Sequence, residues 1–288
     1  LGGAAAPEAI HDRVDDQDGM LFLSFLLGYA KLLRGEERAL VREMAKPYLP
    51  LVIPRLGRGV AESRGNAVLM LARMGMPTYA AVVAGALSDP SPTVAMIAAR
   101  SLFRPGHEDF VPDVLAHLTR FTGWSRSFLA SMLAGGGPTA APLPRDILRD
   151  PEQPPLARAV ASDALRELND LPAVEIALEL VASERDREIV AGCLRILRQL
   201  GHAEHVPTIR LMASSRDPVV RATAIAALGS IGGPAEVPLL QEKLDDPSFW
   251  VSLEAARGLL ALGAAGTLER LADTGGAWAT LARQVLAE

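Results

Sequence analysis

His202 and His205 stand three residues apart around Glu204, and they are the pair of imidazoles in the chain best spaced to share a divalent metal ion. A zinc site needs at least three protein ligands, and no third ligand is in evidence beside this pair. No GxxxxGK[ST], GxSxG or HExxH pattern occurs. The sequence therefore holds no P-loop, no hydrolase nucleophile elbow and no zincin site. Cys193 is the sole cysteine, so an internal disulfide and any CxxC redox or metal motif are excluded. The triple glycine at 135–137 follows a helical pattern and reads as a C-cap loop. The expectation is no catalytic residue, no metal and no cofactor. The chemistry left for this chain is recognition.

What must position any recognition surface is a repeat. Leu71, Leu102, Leu133, Leu165, Leu197, Leu228 and Leu259 recur at gaps of 31, 31, 32, 32, 31 and 31 residues. Four residues after each stand Gly75, Gly106, Gly137, Asn169, Gly201, Gly232 and Gly263. Glycine and asparagine are the residues that end helices in the left-handed conformation. Four residues before each leucine the side chain is small in six cases of seven: Ala67, Ala98, Ala161, Cys193, Ala224 and Ala255. Together these positions make an apolar helical stripe ended by a cap. Cys193 lies on that stripe, a poor place for a nucleophile. Asp89-Pro90, Asp217-Pro218 and Asp246-Pro247 read as helix starts, with the acid as N-cap. Pro112, Pro207 and Pro238, six residues after the glycines, mark a second helix in each unit. His107 shares the repeat phase of His202, which reads the latter as a structural loop residue.

A helical hairpin of this kind cannot bury its apolar face alone, so the units must stack. The expected fold is all-α, a right-handed α-solenoid of about eight antiparallel helix pairs. The expected organisation is a flexible segment over 1–19, an apolar helical pair over 20–46 and repeats over 47–263. Capping helices over 264–288 close the chain. Residues 138–156 carry six prolines and should interrupt the regular pattern.

The second helix of each pair should line the concave side. Positions two, six and nine before each glycine share one helix face. They hold Arg73, Arg104 and Gln199; Arg100, Arg195 and Arg257; and Phe128. Arginine offers a fork of donors and a stacking plane, which suits it to gripping a protein segment. Trp124, Phe128 and Trp250 are aromatic anchors if exposed, and gap fillers between units if buried. Phe22, Phe25 and Tyr29 lie on a first helix that is apolar on nearly every side, whereas the end of a solenoid normally needs a polar outer face.

Bulk composition narrows the partner. The chain has 29 basic and 34 acidic side chains, a net charge of −5, and only three lysines. That argues against nucleic acid, which needs a basic excess to neutralise phosphates. The most apolar stretch, 20–33, is too short to span a bilayer. The expected partner is a protein or peptide. Membrane contact is expected only through the first helix or a segment ahead of Leu1, and the expected location is cytoplasmic.

The stretch DPVVRATAIAALGSIGGPAEVPLLQEKL (217–244) resembles a HEAT repeat of the short bacterial kind, similar to those of phycobilisome-lyase-like proteins. FWVSLEAARGLLALG (249–263) repeats the pattern, with Ser252 where the family prefers arginine. The resemblance implies an interaction scaffold or adaptor. Its enzyme-class alternative is a bilin-lyase-like or chaperone-type subunit acting on another protein. A DNA-repair solenoid is a third option, disfavoured by charge. The resemblance also implies that an arginine early in the second helix pairs with loop aspartates of neighbouring repeats. Arg64, Arg126, Arg158 and Arg221 hold that position, and Ala95, Val190 and Ser252 interrupt it.

Overall fold

The structure, a computed structural model, describes residues 14, 18–74, 78–103, 108–117, 120, 123–135, 137–274 and 277–288. Among them every regular element is a helix. The chain forms two compact units, Leu1–Trp124 and Ser125–Glu288.

In the first unit, α1 (Gly19–Ala30) and α2 (Gly35–Ala45) lead into a 3-10 helix, Lys46–Arg55. Pro50 and Pro54, inside this segment, explain that choice: each removes a backbone donor that an α-helix would use, and the tighter coil survives the loss. Then come α3 (Ala61–Met74), α4 (Ala80–Gly85), α5 (Pro92–Leu102) and α6 (Val111–Ala116). Leu40 stands 31 residues before Leu71, yet it is 47% exposed; α2 turns Val41 and Ala45 inward instead.

The second unit is the more regular. Its helices are α7 (Arg126–Ala134), α8 (Pro142–Arg149), α9 (Pro155–Glu167), α10 (Ala173–Ser183) and α11 (Arg187–Leu200). They continue as α12 (Val206–Met212), α13 (Pro218–Ile231), α14 (Val237–Glu242), α15 (Phe249–Ala261), α16 (Ala265–Ala272) and α17 (Ala277–Leu286). The proline-rich stretch 138–156 contains α8. Pro138, Pro142 and Pro155 each sit in the first turn of a helix, where a missing N–H costs nothing.

All seven periodic leucines are buried, with at most 2% of their surface exposed. Second helices pack on second helices: α7 on α9, α9 on α11, α11 on α13 and α13 on α15. Their small residues set the spacing. A Cβ on Gly229 would stand 2.5 Å from the Cα of Gly258, and one on Gly192 would stand 2.1 Å from Ser162 Oγ. Backbone meets backbone at the first of these points, with no side chain to yield.

Two helix ends differ from their sequence reading. Asn169, Gly137 and Gly263 are left-handed, with φ of 53°, 69° and 76°. Gly201 and Gly232 are not; they are extended at φ −74° and −76°. Glycine is needed there for space, because a Cβ would stand 2.4 Å from the Leu197 carbonyl oxygen and 2.3 Å from that of Leu228. Gly75 and Gly106 lie outside the described residues. Helix starts also need a correction. Asp217 is a true N-cap, accepting from the N–H groups of Val219 and Val220. Asp89 and Asp246 sit two residues ahead of the caps Ser91 and Ser248, because their carboxylates are engaged elsewhere.

Helix propensity alone makes Gly229→Ala stabilising by up to about 1 kcal/mol. The contact with Gly258 reverses that sign. Overpacking against backbone should make the variant less stable by about 2 kcal/mol, measured as the urea midpoint of the full chain. A midpoint at or above that of the parent would show that α13 and α15 do not approach this closely.

Candidate functional site

Most of the arginines picked out by sequence turn inward on the repeat. Arg64 on α3 donates to both carboxylate oxygens of Asp89, at 2.7 and 2.9 Å. Arg221 on α13 does the same to Asp246, at 2.9 and 2.8 Å. Each aspartate also accepts the backbone N–H of a serine two residues on, Ser91 or Ser248. Arg158 on α9 pairs with Glu184 at 2.6 Å and donates to the Leu148 carbonyl. Acid follows arginine by 25 or 26 residues in all three pairs, so each links one second helix to the start of the next. Arg126 has Pro151 at that distance, and it turns instead to Asp163 and Glu188, at 2.6 and 2.7 Å.

A second row of ties runs between first helices, and the sequence reading missed it. Arg145 on α8 grips both oxygens of Asp170, and Arg210 on α12 grips both of Glu236. Arg120 donates to the carbonyls of Leu87 and Asp89. The signal was present: Arg145 and Arg210 lie eight and nine residues after Gly137 and Gly201, and their acids follow at 25 and 26.

The predicted contact residues fall in different places. Arg104 lies outside the described residues. Arg73, in the first unit, lines a cavity with Met20, Leu27 and Lys31. Arg100 is exposed on α5. Gln199 spans from α11 to the end of α9, donating to Asn169 Oδ1 and the Arg166 carbonyl. Arg257 is bound to both oxygens of Glu288, at 2.9 and 2.8 Å. That pairing, with Glu254 alongside, raises its pKa further above the ordinary arginine value. Trp124 and Phe128 are half-buried. Trp250 is 66% exposed and meets the ring of Phe249 edge-on at 5.8 Å.

Arg195 and Trp250 come together. They lie on opposite sides of a groove of about 310 Å³ formed by α11, α13 and α15. Its floor is Val219, Ala222, Thr223 and Ala226 of α13, with Pro218 at one end. Arg195 and Arg198 form one wall, and Trp250 and Glu254 the other. The floor is mostly apolar, while charges of both signs line the walls. Arg195 is held by Asp163 Oδ1 at 3.4 Å, and its Nη2 is buried without a hydrogen-bond partner among the described residues. Burial lowers its pKa below the ordinary arginine value, against the pull of Asp163. Arg198 donates to Ser230 Oγ. Phe249, 52% exposed, extends the apolar surface beside the groove, and Val219 on the floor is itself 40% exposed.

The histidine pair is a turn. His205 Nδ1 accepts the backbone N–H of His202 at 2.9 Å, which closes the turn ahead of α12. Among the described residues no three His, Cys, Asp or Glu side chains gather as metal ligands. Cys193 is buried, and burial pushes its thiol up to about 12.

A family model for HEAT repeats matches residues 175–261 and, overlapping them, 206–285. No curated protein matches the sequence. Among solved structures, the karyopherin Kap121p bound to RanGTP is similar at 15% identity and a TM-score of 0.46, over 86% of this chain and 33% of that one. The chain thus spans about a third of the length of the karyopherin. The CpcE–CpcF complex of phycocyanin lyase from Nostoc is similar at 18% identity and a TM-score of 0.37, over 83% of this chain and 86% of that one. Human deoxyhypusine hydroxylase is similar at 18% identity and a TM-score of 0.28, over 87% and 96%.

The acid–arginine ties make stability depend on pH. Arg64 holds the Asp89 carboxyl below its ordinary value. Burial pushes Asp246 up, but the hydrogen bonds from Arg221 and the Ser248 N–H outweigh it, and the carboxyl ends below its ordinary value. A carboxyl depressed on folding stabilises fully above its unfolded pKa, near 4, and loses that contribution as pH falls through the folded value. The urea midpoint should hold steady from neutrality to about pH 5 and fall below about pH 4. Asp246→Asn should cost about 2 kcal/mol at neutral pH and flatten the acid limb. An unchanged acid limb in the Asp89→Asn/Asp246→Asn double variant would remove these pairs as its cause.

Proposed function

We propose that this chain of HEAT repeats is a non-catalytic interaction scaffold that holds a segment of a partner protein across α11, α13 and α15. The exposed indole of Trp250 beside the mostly apolar floor of α13 carries the reading. A large aromatic surface left in water next to an apolar groove is what interface anchors look like. The walls favour an extended segment with an apolar side chain for the floor and an acidic group for Arg195 and Arg198. Glu254, 4.0 Å from Arg198 and 3.3 Å from Arg257, would select against a second acid beside it. Arg257 and Gln199 support the inner helices, since both are occupied by neighbouring repeats.

A peptide library displayed on phage and panned against the full chain tests this. Enriched peptides should pair an apolar residue with a nearby acid. Trp250→Ala should weaken them by roughly 30-fold, the loss of about 2 kcal/mol expected of a hot spot, with the melting temperature little changed. Arg195→Ala and Arg198→Ala should each weaken them less. Peptides that bind Trp250→Ala and parent equally would place the interaction elsewhere.

A further inference from the structure

The groove of α11, α13 and α15 carries hydrogen-bond donors that the protein does not use. Trp250 and Ser248 both line it. Among the described residues neither the indole N–H nor the serine hydroxyl has a hydrogen-bond partner. Ser248 opens α15, yet its hydroxyl caps no backbone N–H. Acceptors are scarce. The one carboxylate on the walls, Glu254, is drawn between Arg198 at 4.0 Å and Arg257 at 3.3 Å. The Thr223 hydroxyl donates to the Val219 carbonyl one turn back. The start of α13 is closed as well: Pro218 has no N–H, and Asp217 accepts those of Val219 and Val220.

A ligand that covers this groove takes the water from those two donors. A covered donor left without an acceptor is costly, so the ligand must bring acceptors. It must also bring few donors, since the groove has little to receive them. A β-strand fails the second condition, because its residues carry an N–H each to the floor. A helix fails the first, because its carbonyls are taken up within its own turns. Proline meets both: it has a carbonyl and no N–H. In the polyproline II conformation that carbonyl makes no internal hydrogen bond. The exposed indole and the floor of Val219, Ala222 and Ala226 offer its ring an apolar seat.

We propose that the segment held in this groove is a proline-bearing one in the polyproline II conformation, with an acidic residue on its flank. The inference rests on the groove being the interaction site, and it names the chemistry of the occupant. Proline rings lie on the Trp250 indole and the floor of α13. One ligand carbonyl accepts the indole N–H, and another accepts the Ser248 hydroxyl. The flanking acid is set by the wall of α11, where Arg195 and Arg198 stand and the lone acid across the groove is already engaged. A segment whose φ angles are fixed before binding also loses less freedom on docking.

Titration of the full chain with three synthetic peptides of equal length and charge tests the proposal. The first is Asp-Leu-Pro-Pro-Leu-Pro-Pro-Leu; the others carry alanine or threonine in place of every proline. The proline peptide should bind roughly tenfold more tightly than either of the others. Trp250→Phe keeps an aromatic ring and removes the N–H, and it should weaken the proline peptide roughly fivefold. Ser248→Ala should weaken it roughly threefold. Both variants should keep the parent melting temperature, since the indole is exposed and the hydroxyl caps nothing. Unchanged affinity in both variants overturns the proposal, because the two donors are what select proline. Tighter binding of the alanine peptide, lost in Trp250→Ala, assigns the groove to a helix, and the same result with threonine assigns it to a strand; either overturns the proposal and keeps the groove. Failure of the proline peptide to bind at millimolar concentration overturns it too. The fate of the groove is then read separately from the phage-selected peptides, which depend on Trp250 if the groove is the interaction site.

Discussion

The second helices of the C-terminal unit stand as close as their backbones permit. Where α13 crosses α15, Gly229 faces Gly258 and nothing intervenes. Where α9 meets α11, Ser162 turns its hydroxyl back to the Ala159 carbonyl and lies against Gly192. Much else follows from this spacing. Helices this close leave no room for large or charged side chains between them, so those must move to the rims. There the arginines reach the next repeat and find acids 25 or 26 residues on. On the open rim of α11, α13 and α15, the small residues of α13 become the floor of a groove and the longer side chains its walls.

The register was plain in the sequence because the leucine position has one physical requirement repeated seven times. Leu71 and Leu259 do the same thing in different repeats, and both are buried. What the register could not show is which carboxylate an arginine prefers. Arg64, Arg158 and Arg221 follow one rule, and Arg126 breaks it because proline occupies the expected position. The glycines at 201 and 232 were assigned the right place for the wrong reason: the constraint is a carbonyl too near, not a backbone angle. The serine caps at 91 and 248 were hidden behind aspartates that looked like better caps.

The groove was legible only in part. Arg195 follows from helical phase, since it stands on the face opposite the buried stripe. Trp250 was ambiguous, because an aromatic at that position can fill a gap between units or stand in water, and only packing decides. Val219 and Ala222 carried no signal of their own. The floor forms because α13 has Val219 and Ala226 where α11 has Glu188 and Arg195 and α15 has Trp250 and Arg257, a contrast visible only when three helices are set side by side.

The aspartates at 89 and 246 each serve two masters. Each accepts an arginine from the preceding second helix and the N–H of the serine that opens the following one. Fraying the first turn of α15 therefore loosens Arg221, and with it the hold on α13. A defect in one repeat is felt in its neighbour before any leucine leaves the core. In a linear array, coupling of that kind makes adjacent repeats melt together as one block. The opening of one repeat is then tied to that of the next through the carboxylate they share.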